Sequence, residues 1–210
     1  MNSMAETEST NIFIVDDDPL MCSLLELVTV PLGQPTRTFG TAAEFLATYE
    51  PSASGCLVSD VNMPDMNGLE LQRELNRRGA QIPVIFVTAH GDIATAVEAM
   101  RDGAFDFVLK PFDQQDLRNK VTAALAEDEK RRGSRESALK VRERLESLTG
   151  REREVLDLLI EGCSNKAMAG RMAIATRTVE LHRANVMKKM KARSVANLVH
   201  MVEALNRATA

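Results

Sequence analysis

Along its first half the chain alternates short apolar runs with longer stretches whose apolar residues fall three and four apart. Ile12–Val15 is the first run, and Leu20, Leu24, Leu25, Leu27 and Val28 after it keep helical spacing. Pro31 and Gly33 punctuate that helix. A weaker strand over Thr36–Phe39, a helix over Ala42–Tyr49 and a strand over Cys56–Ser59 follow. Gly68–Arg78 reads as a helix with Leu69, Leu71 and Leu75 apolar, and Ile82–Val87 is the clearest strand. A helix through Ile93, Val97 and Met100 leads to a last strand, Phe105–Leu109, which Lys110-Pro111 ends. Five such units with short crossovers predict a mostly parallel, doubly wound α/β sheet with helices on both faces.

The second half is helical throughout. From Asp113 a helix with Leu117, Val121 and Leu125 runs into the charged stretch Glu127–Arg132, and Gly133-Ser134 is the place where it is expected to break. Ala138, Val141, Leu145 and Leu148 then recur at helical spacing, either in a solvated linker or in a short helix that pairs in a dimer. Thr149-Gly150-Arg151-Glu152 has the spacing of a capping box and opens a helix with Val155, Leu156 and Leu159 inward. Gly162 closes that helix, Ser164 caps the next (Asn165 to Met172), and Ala173-Ile174-Ala175 is a short turn. Thr176 is the expected cap of a third helix, Arg177–Met190, and Ser194 to Asn206 supplies a fourth. Two short helices across a tight turn describe a helix-turn-helix.

Charge divides the chain in the same way. Its 210 residues, 44% hydrophobic and 27% charged, suit one large or two small folded domains. Residues 1–127 carry 8 Lys and Arg against 19 Asp and Glu, residues 128–147 carry 7 against 5, and residues 148–210 carry 11 against 6. An acidic front joined to a basic tail points to a polyanion met by the tail alone. No apolar run nears the ~20 residues of a membrane span. The first eleven residues have neither the basic start nor the apolar stretch of a signal peptide. Cys22, Cys56 and Cys163 are too widely separated for a zinc knuckle or a disulfide framework. The expectation is a reduced, cytoplasmic protein with no membrane partner.

The chemistry gathers at strand ends. Asp16-Asp17-Asp18 directly follows the first strand and Asp60 the third. Ligands of a doubly wound sheet bind outside the carboxyl ends of the strands, where strand order reverses, so these carboxylates should converge. Clustered carboxylates repel one another unless a cation is present. Oxygen-only ligands with room for water suit Mg²⁺, and an Asp oxygen beside it can attack phosphorus to form an aspartyl phosphate. Thr88 at the end of the fourth strand and Lys110 at the end of the fifth each can hold a phosphoryl oxygen.

The segments IFIVDDDPL, LVSDVNMPDMNG, VIFVTAHGD and FDFVLKPF together resemble the receiver domain of two-component response regulators, over roughly residues 10–127. The resemblance implies a flavodoxin-like fold with Asp60 as phosphoacceptor. It implies Asp16, Asp17, Asp60 and the backbone carbonyl of Asn62 as ligands of Mg²⁺, for which Mn²⁺ can substitute. Thr88, Ala89 and Lys110 would surround the phosphoryl group, and Phe107 would be an aromatic that turns inward when Thr88 moves. A cis Lys110-Pro111 bond is implied as well. Asp18 is expected to cap the following helix, and His90 to be a solvent-facing loop residue.

The segments LTGREREVL, GCSNKAMAGRM and TRTVELHRANVMKKM resemble the LuxR-type DNA-binding domain, an all-α four-helix unit, over about residues 148–206, with residues 128–147 as a helical linker. Projected at 100° per residue with Val179 inward, Val186 and Met190 fall within ~20° of it. The opposite face carries Arg177, Leu181, Ala184 and Lys188, with Glu180 and Asn185 on its shoulders; Thr176 and Thr178 join the candidate contacts. Glu180 can accept from cytosine, Leu181 or Ala184 can touch thymine methyls, and Arg177 can read guanine or a phosphate. Lys166, Lys188, Lys189, Lys191 and Arg193 are expected on phosphates, and His182 and Arg183 toward the packed side.

Together the two resemblances imply a FixJ/NarL-type transcriptional regulator, with no enzymatic activity beyond its own phosphorylation and dephosphorylation. A sensor histidine kinase would donate to Asp60, receivers would pair through the face around their fourth and fifth helices, and the homodimer would occupy promoter DNA, with RNA polymerase as a further partner. Two rivals fit less well. A Mg²⁺-dependent phosphatase of the haloacid dehalogenase type needs a second carboxylate where Asn62 stands. A LuxR-type sensor of a small acyl lactone needs an aromatic-lined pocket, and the chain has no Trp and a single Tyr.

Overall fold

The computed structural model describes residues 10–89 and 93–209, and the chain divides into two compact units between Arg131 and Arg132. In the first unit, β1 (Asn11–Val15), β2 (Thr36–Phe39), β3 (Gly55–Ser59), β4 (Val84–Thr88) and β5 (Asp106–Leu109) form a parallel sheet in the order β2-β1-β3-β4-β5. The helices α1 (Pro19–Thr29), α2 (Ala42–Thr48), α3 (Gly68–Arg77), α4 (Ile93–Arg101) and α5 (Gln114–Glu146) alternate with the strands. Successive strand residues point to opposite faces, so each strand feeds two cores. Phe13, Val15, Leu57 and Phe86 pack with Phe45, Leu71, Leu75 and Ala99, under α2 to α4. Ile12, Ile14, Val58 and Ile85 pack with Leu25, Val28, Leu117 and Val121, under α1 and α5. Burial on both faces is why these strands read as apolar runs rather than as alternating patterns.

Two sequence-based expectations change here, and one burial is new. β4 starts at Val84, later than the apolar run suggests, because Pro83 has no N–H for the ladder; its carbonyl instead accepts from the Leu57 amide at 2.9 Å. The break expected at Gly133-Ser134 does not occur, since α5 runs uninterrupted over Gln114–Glu146. A glycine there costs about 1 kcal/mol relative to alanine, and the ion pairs Glu127–Arg131, Glu136–Lys140 and Arg142–Glu146 flank it at helical spacing. Finally, Asp128, inside the charged stretch, is only 2% exposed. It accepts from the Ser54 hydroxyl and the Gly55 amide, both at 3.0 Å, and so ties α5 to the start of β3. Only glycine fits at position 55, where φ is +146° and a Cβ would stand 1.8 Å from the Asn11 carbonyl oxygen.

The second unit packs α6 (Gly150–Ile160), α7 (Asn165–Met172), α8 (Thr176–Met190) and α9 (Val195–Thr209) around Val155, Leu156, Met168, Val179, Val186, Met190 and Leu198. The capping box of Thr149 and Glu152 is formed, and Ser164 caps α7. Thr176 is not the cap of α8. Ala175 already has extended backbone (φ −66°, ψ 145°) and takes that position without a side-chain bond, so Thr176 becomes the first helical residue. Val141 and Leu148 are buried and Leu145 is half-buried in this same core. The apolar stripe read above as linker or dimer seam is thus covered within its own unit. No helix among the described residues is long and apolar enough to cross a membrane.

The Asp128 tie is open to test. Asp128→Ala leaves the Gly55 amide buried without its acceptor and leaves the Ser54 hydroxyl only Thr10 Oγ1 as partner, and we expect a loss of about 1–3 kcal/mol in urea unfolding. Glu129→Ala, at an exposed neighbouring position, should change stability by less than about 0.5 kcal/mol.

Candidate phosphoacceptor site and nucleic-acid interface

Strand order reverses between β1 and β3, and the residues that follow these strands meet there. The register Val15↔Ser59 carries on one step, with the Asp60 amide donating to the Val15 carbonyl at 2.9 Å, so Asp16 and Asp60 stand side by side. On the other flank Thr88 ends β4 opposite Leu109, and the Lys110 amide donates to the Thr88 carbonyl at 2.8 Å. The Lys110 ammonium then reaches back across the edge to Asp16 Oδ2 and Asp60 Oδ1, both at 2.9 Å. The second oxygen of Asp60 accepts from the Asn62 amide, and the Asn62 side chain donates to Thr88 Oγ1 at 3.4 Å. The peptide bond Lys110-Pro111 is cis, as the resemblance implied.

Charge is confined in this pocket. Asp16 and Thr88 are almost fully buried and Asp60 is 6% exposed. Burial pushes the Asp16 carboxyl above its usual range, against the opposing pull of Lys110. Burial pulls the Lys110 ammonium down, but its bonds to Asp16 and Asp60 outweigh that and leave its pKa raised.

The three consecutive aspartates have three different placements. Asp16 is in the pocket, and Asp18 caps α1 by accepting from the Leu20 amide at 2.9 Å. Asp17 is exposed, on the rim of a cleft of about 340 Å³ that Asp16, Cys22, Glu26 and Phe39 also line. Among the described residues no three carboxylate, imidazole or thiolate groups stand close enough together to hold a metal ion. As placed, an ammonium rather than a convergence of three carboxylates balances Asp16 and Asp60; the donor set is oxygen-only, the chemistry that suits Mg²⁺. Ala89 is exposed beside Thr88. Phe107 is half-buried, its ring 6.4 Å from that of Phe86. His90 lies outside the described residues.

In the second unit, Val179, Val186 and Met190 hold α8 against the core. The other side of the helix presents Arg177, Thr178, Glu180, Ala184 and Lys188, with Leu181 61% exposed at its centre. Thr176 and, on α7, Lys166 are exposed too, as are Lys191 and Arg193 beyond α8; Asn185 is half-buried. His182 and Arg183 are half-buried on the packed side, where Arg183 donates to Asn165 Oδ1 at 2.7 Å. Lys189 departs from the expected set. Its ammonium is 2.6 Å from Glu152 Oε2 and donates to the Ser147 carbonyl at 3.1 Å, so it faces into the unit.

Comparison with known proteins covers both units. Residues 12–122 match the response regulator receiver domain family, and residues 146–202 match the luxR family of bacterial regulatory proteins. The chain is a response regulator with a LuxR-type DNA-binding domain. Nodulation protein W of Bradyrhizobium diazoefficiens is 41% identical to it over 92% of this chain and 86% of its own. The transcriptional regulatory protein FixJ of Azorhizobium caulinodans is 42% identical over 92% of each chain. A solved structure of response regulator StyR shares 43% identity and a TM-score of 0.83, covering 93% of this chain and 98% of its own.

Two supports of this response regulator's sites escape a reading of motifs. Gly68, which opens α3, lies against the Asp60 loop: a Cβ there would stand 2.3 Å from the Asp60 carbonyl oxygen and 2.9 Å from the Phe86 ring. The GL pair after Asn67 signals a helix start in the sequence, not this close approach. Glu152, read only as a capping-box residue, is 4% exposed and accepts from Thr149 as well as pairing with Lys189.

The Lys189 ammonium and, after it, the Thr149 amide hold the Glu152 carboxyl down at about 2, against an ordinary 4.5. A folded value below the unfolded one stabilises the fold above the unfolded pKa and is lost as pH falls through the folded one. Glu152→Gln keeps an acceptor for Thr149 but no titrating charge. The gap in urea midpoint between parent and variant should therefore be widest above about pH 5 and close as pH falls toward about 2.

Proposed function

We propose that a sensor histidine kinase phosphorylates Asp60 and that this pairs two copies of the regulator on promoter DNA. The observation that carries the reading is the Lys110 ammonium held 2.9 Å from both Asp16 and Asp60 at the switch point of the sheet. In the proposed step an Asp60 carboxylate oxygen attacks the phosphorus of a phosphohistidine, the P–N bond breaks as the P–O bond forms, and the imidazole leaves with the electron pair. Lys110 is already placed to neutralise the added charge, and the Thr88 hydroxyl to hold a phosphoryl oxygen. Asp16, Asp17, Asp60 and the Asn62 backbone carbonyl would hold Mg²⁺ (or Mn²⁺), which when bound supplies further charge neutralisation. Attack of water on the same phosphorus would return Asp60 and inorganic phosphate, so the protein resets itself without acting on any other substrate.

Movement of Thr88 toward the phosphoryl group empties space that Phe107, packed on Phe86, can enter. That shift alters the surface beside it, where Val97, Met100 and Leu109 are 42%, 50% and 52% exposed. With Ala96 and Arg101, Val97 and Met100 line an apolar cleft of about 450 Å³ on α4. We take this face as the pairing surface of the phosphorylated form. Two paired tails engage half-sites about one DNA turn apart, giving an affinity that one tail lacks. RNA polymerase as a further partner, in the cytoplasm, completes the proposal.

Two substitutions test its halves. Asp60→Asn should abolish acyl-phosphate labelling by acetyl phosphate with Mg²⁺ and the accompanying doubling of mass in light scattering; doubling that persists would refute the switch. Glu180→Ala should alter the base preference of the phosphorylated protein at one position while leaving the salt dependence of binding nearly unchanged. Unchanged base preference would remove α8 from the reading of sequence.

A further inference from the structure

Lys188 and Lys189 are adjacent in sequence, and sequence analysis expects both on DNA phosphates. The fold separates them. Lys188 is exposed on the outer side of α8. Lys189 turns toward α6, where it meets a carboxylate whose side chain is 5% exposed. One oxygen of that carboxylate, Glu152 Oε2, accepts from the Thr149 amide at 2.8 Å, the Thr149 hydroxyl at 3.0 Å and the Lys189 ammonium at 2.6 Å. Lys189 also donates to the Ser147 carbonyl at 3.1 Å.

The next residue of α8 is held by the same neighbourhood. Arg144, in the last turn of α5, donates to the Met190 carbonyl at 3.4 Å, while the Met190 side chain is fully buried. Arg153 on α6 donates to the Leu145 carbonyl at 3.0 Å, and Val141 and Leu148 pack into the core around Met190. The C-terminal turn of α8 is therefore fastened to the segment 141–152, through which the chain passes from α5 into α6.

We infer that Lys189 is a positioning residue: paired with Glu152, it fixes the roll and tilt of α8 and makes no DNA contact. This rests on the proposed reading of α8 as the DNA-facing helix. A phosphate contact by Lys189 would strip the buried Glu152 carboxylate of its counter-charge, an arrangement buried ion pairs resist. The base-facing groups Arg177, Glu180 and Leu181 all lie on the helix that this pair orients. The pair therefore acts on sequence discrimination, whereas Lys188 acts on general affinity.

The test uses the full chain treated with acetyl phosphate and Mg²⁺. Its binding to a duplex selected by the parent protein from a random pool is compared with its binding to an unrelated duplex, across a salt series. Lys188→Met should weaken both complexes and reduce the slope of log affinity against log salt by about 1. Lys189→Met should leave the slope unchanged and cut the preference for the selected duplex about tenfold, the order of one misread base pair. Lys189→Arg should restore the preference. Glu152→Gln gives a test of sign. Removing a negative charge tightens DNA binding on electrostatic grounds alone, so weaker, less discriminating binding is the expected result. Partial unfolding scales both duplexes equally and leaves their ratio fixed, so the ratio separates positioning from lost stability, and Glu152→Gln decides the matter if Lys189→Met does not fold. A slope reduced in Lys189→Met as in Lys188→Met, or equal or tighter binding by Glu152→Gln, overturns the inference. If those results come while Glu180→Ala still shifts base preference, the positioning role fails alone; if Glu180→Ala has no effect, the reading of α8 fails with it.

Discussion

One ammonium between two buried carboxylates is the constraint around which the receiver unit is arranged. Parallel pairing of β1 and β3 forces Asp16 and Asp60 together, and two like charges at that spacing in a buried edge oppose ionisation. Lys110, delivered by the outermost strand on that side, offsets the repulsion. It can do so because β5 ends in register with β4, with the Lys110 amide donating to the Thr88 carbonyl. Everything that sets that register, including the packing of the paired Val87 and Val108 on one face of the sheet, is thus also setting the distance from the Lys110 ammonium to Asp60. A phosphoryl group placed on Asp60 would meet a cation already desolvated and oriented, which is how a protein lowers a charge-transfer barrier without reorganising at the moment of reaction.

The same device recurs away from Asp60. Asp128 and Glu152 are buried carboxylates with fixed donors: Ser54 and Gly55 for one, Thr149 and Lys189 for the other. A buried carboxylate without donors is costly, so each is a strong constraint on its partners' positions. Asp128 joins residues far apart in sequence and holds the opposite end of the sheet from Asp60. Glu152 joins the start of α6 to the end of α8. The chemistry of a buried carboxylate held by fixed donors is shared by all three.

Most of the site was legible because each of its residues follows an apolar run. A strand buried on both faces leaves a continuous apolar signature, and the first polar residue beyond it falls on the carboxyl edge. Asp16, Asp60, Thr88 and Lys110 were placed together by that logic, as was the outer face of α8 by a 100° projection. Asp128 was not legible. A carboxylate in Glu127–Arg132 looks solvated, and its partners lie more than seventy residues earlier. Gly133 misled for a related reason, since helix propensity is weak beside the pairs and packing on either side of it. Asp17 and Asp18 share residue type and neighbourhood with Asp16, and only the turn into α1 separates their roles. Lys189 differs from Lys188 by one step of 100°, enough to take its ammonium from the outer face to Glu152.

The charge division of the chain also limits how the two units can be coupled. Phosphorylation adds roughly −1.5 to −2 charges to a front segment that already carries 19 acidic against 8 basic residues. Acting through its field alone, that change would repel DNA from the protein. Salt screens the repulsion between charges more than about 8 Å apart at physiological ionic strength, so the effect is weak, but its sign is wrong for a phosphorylation-driven gain in binding. In the proposed switch the gain would have to come from geometry. Pairing of two receivers would make the second tail's encounter with its half-site intramolecular, and such effective-concentration gains reach about 10²–10⁴ without a new contact, far more than a screened charge can take away.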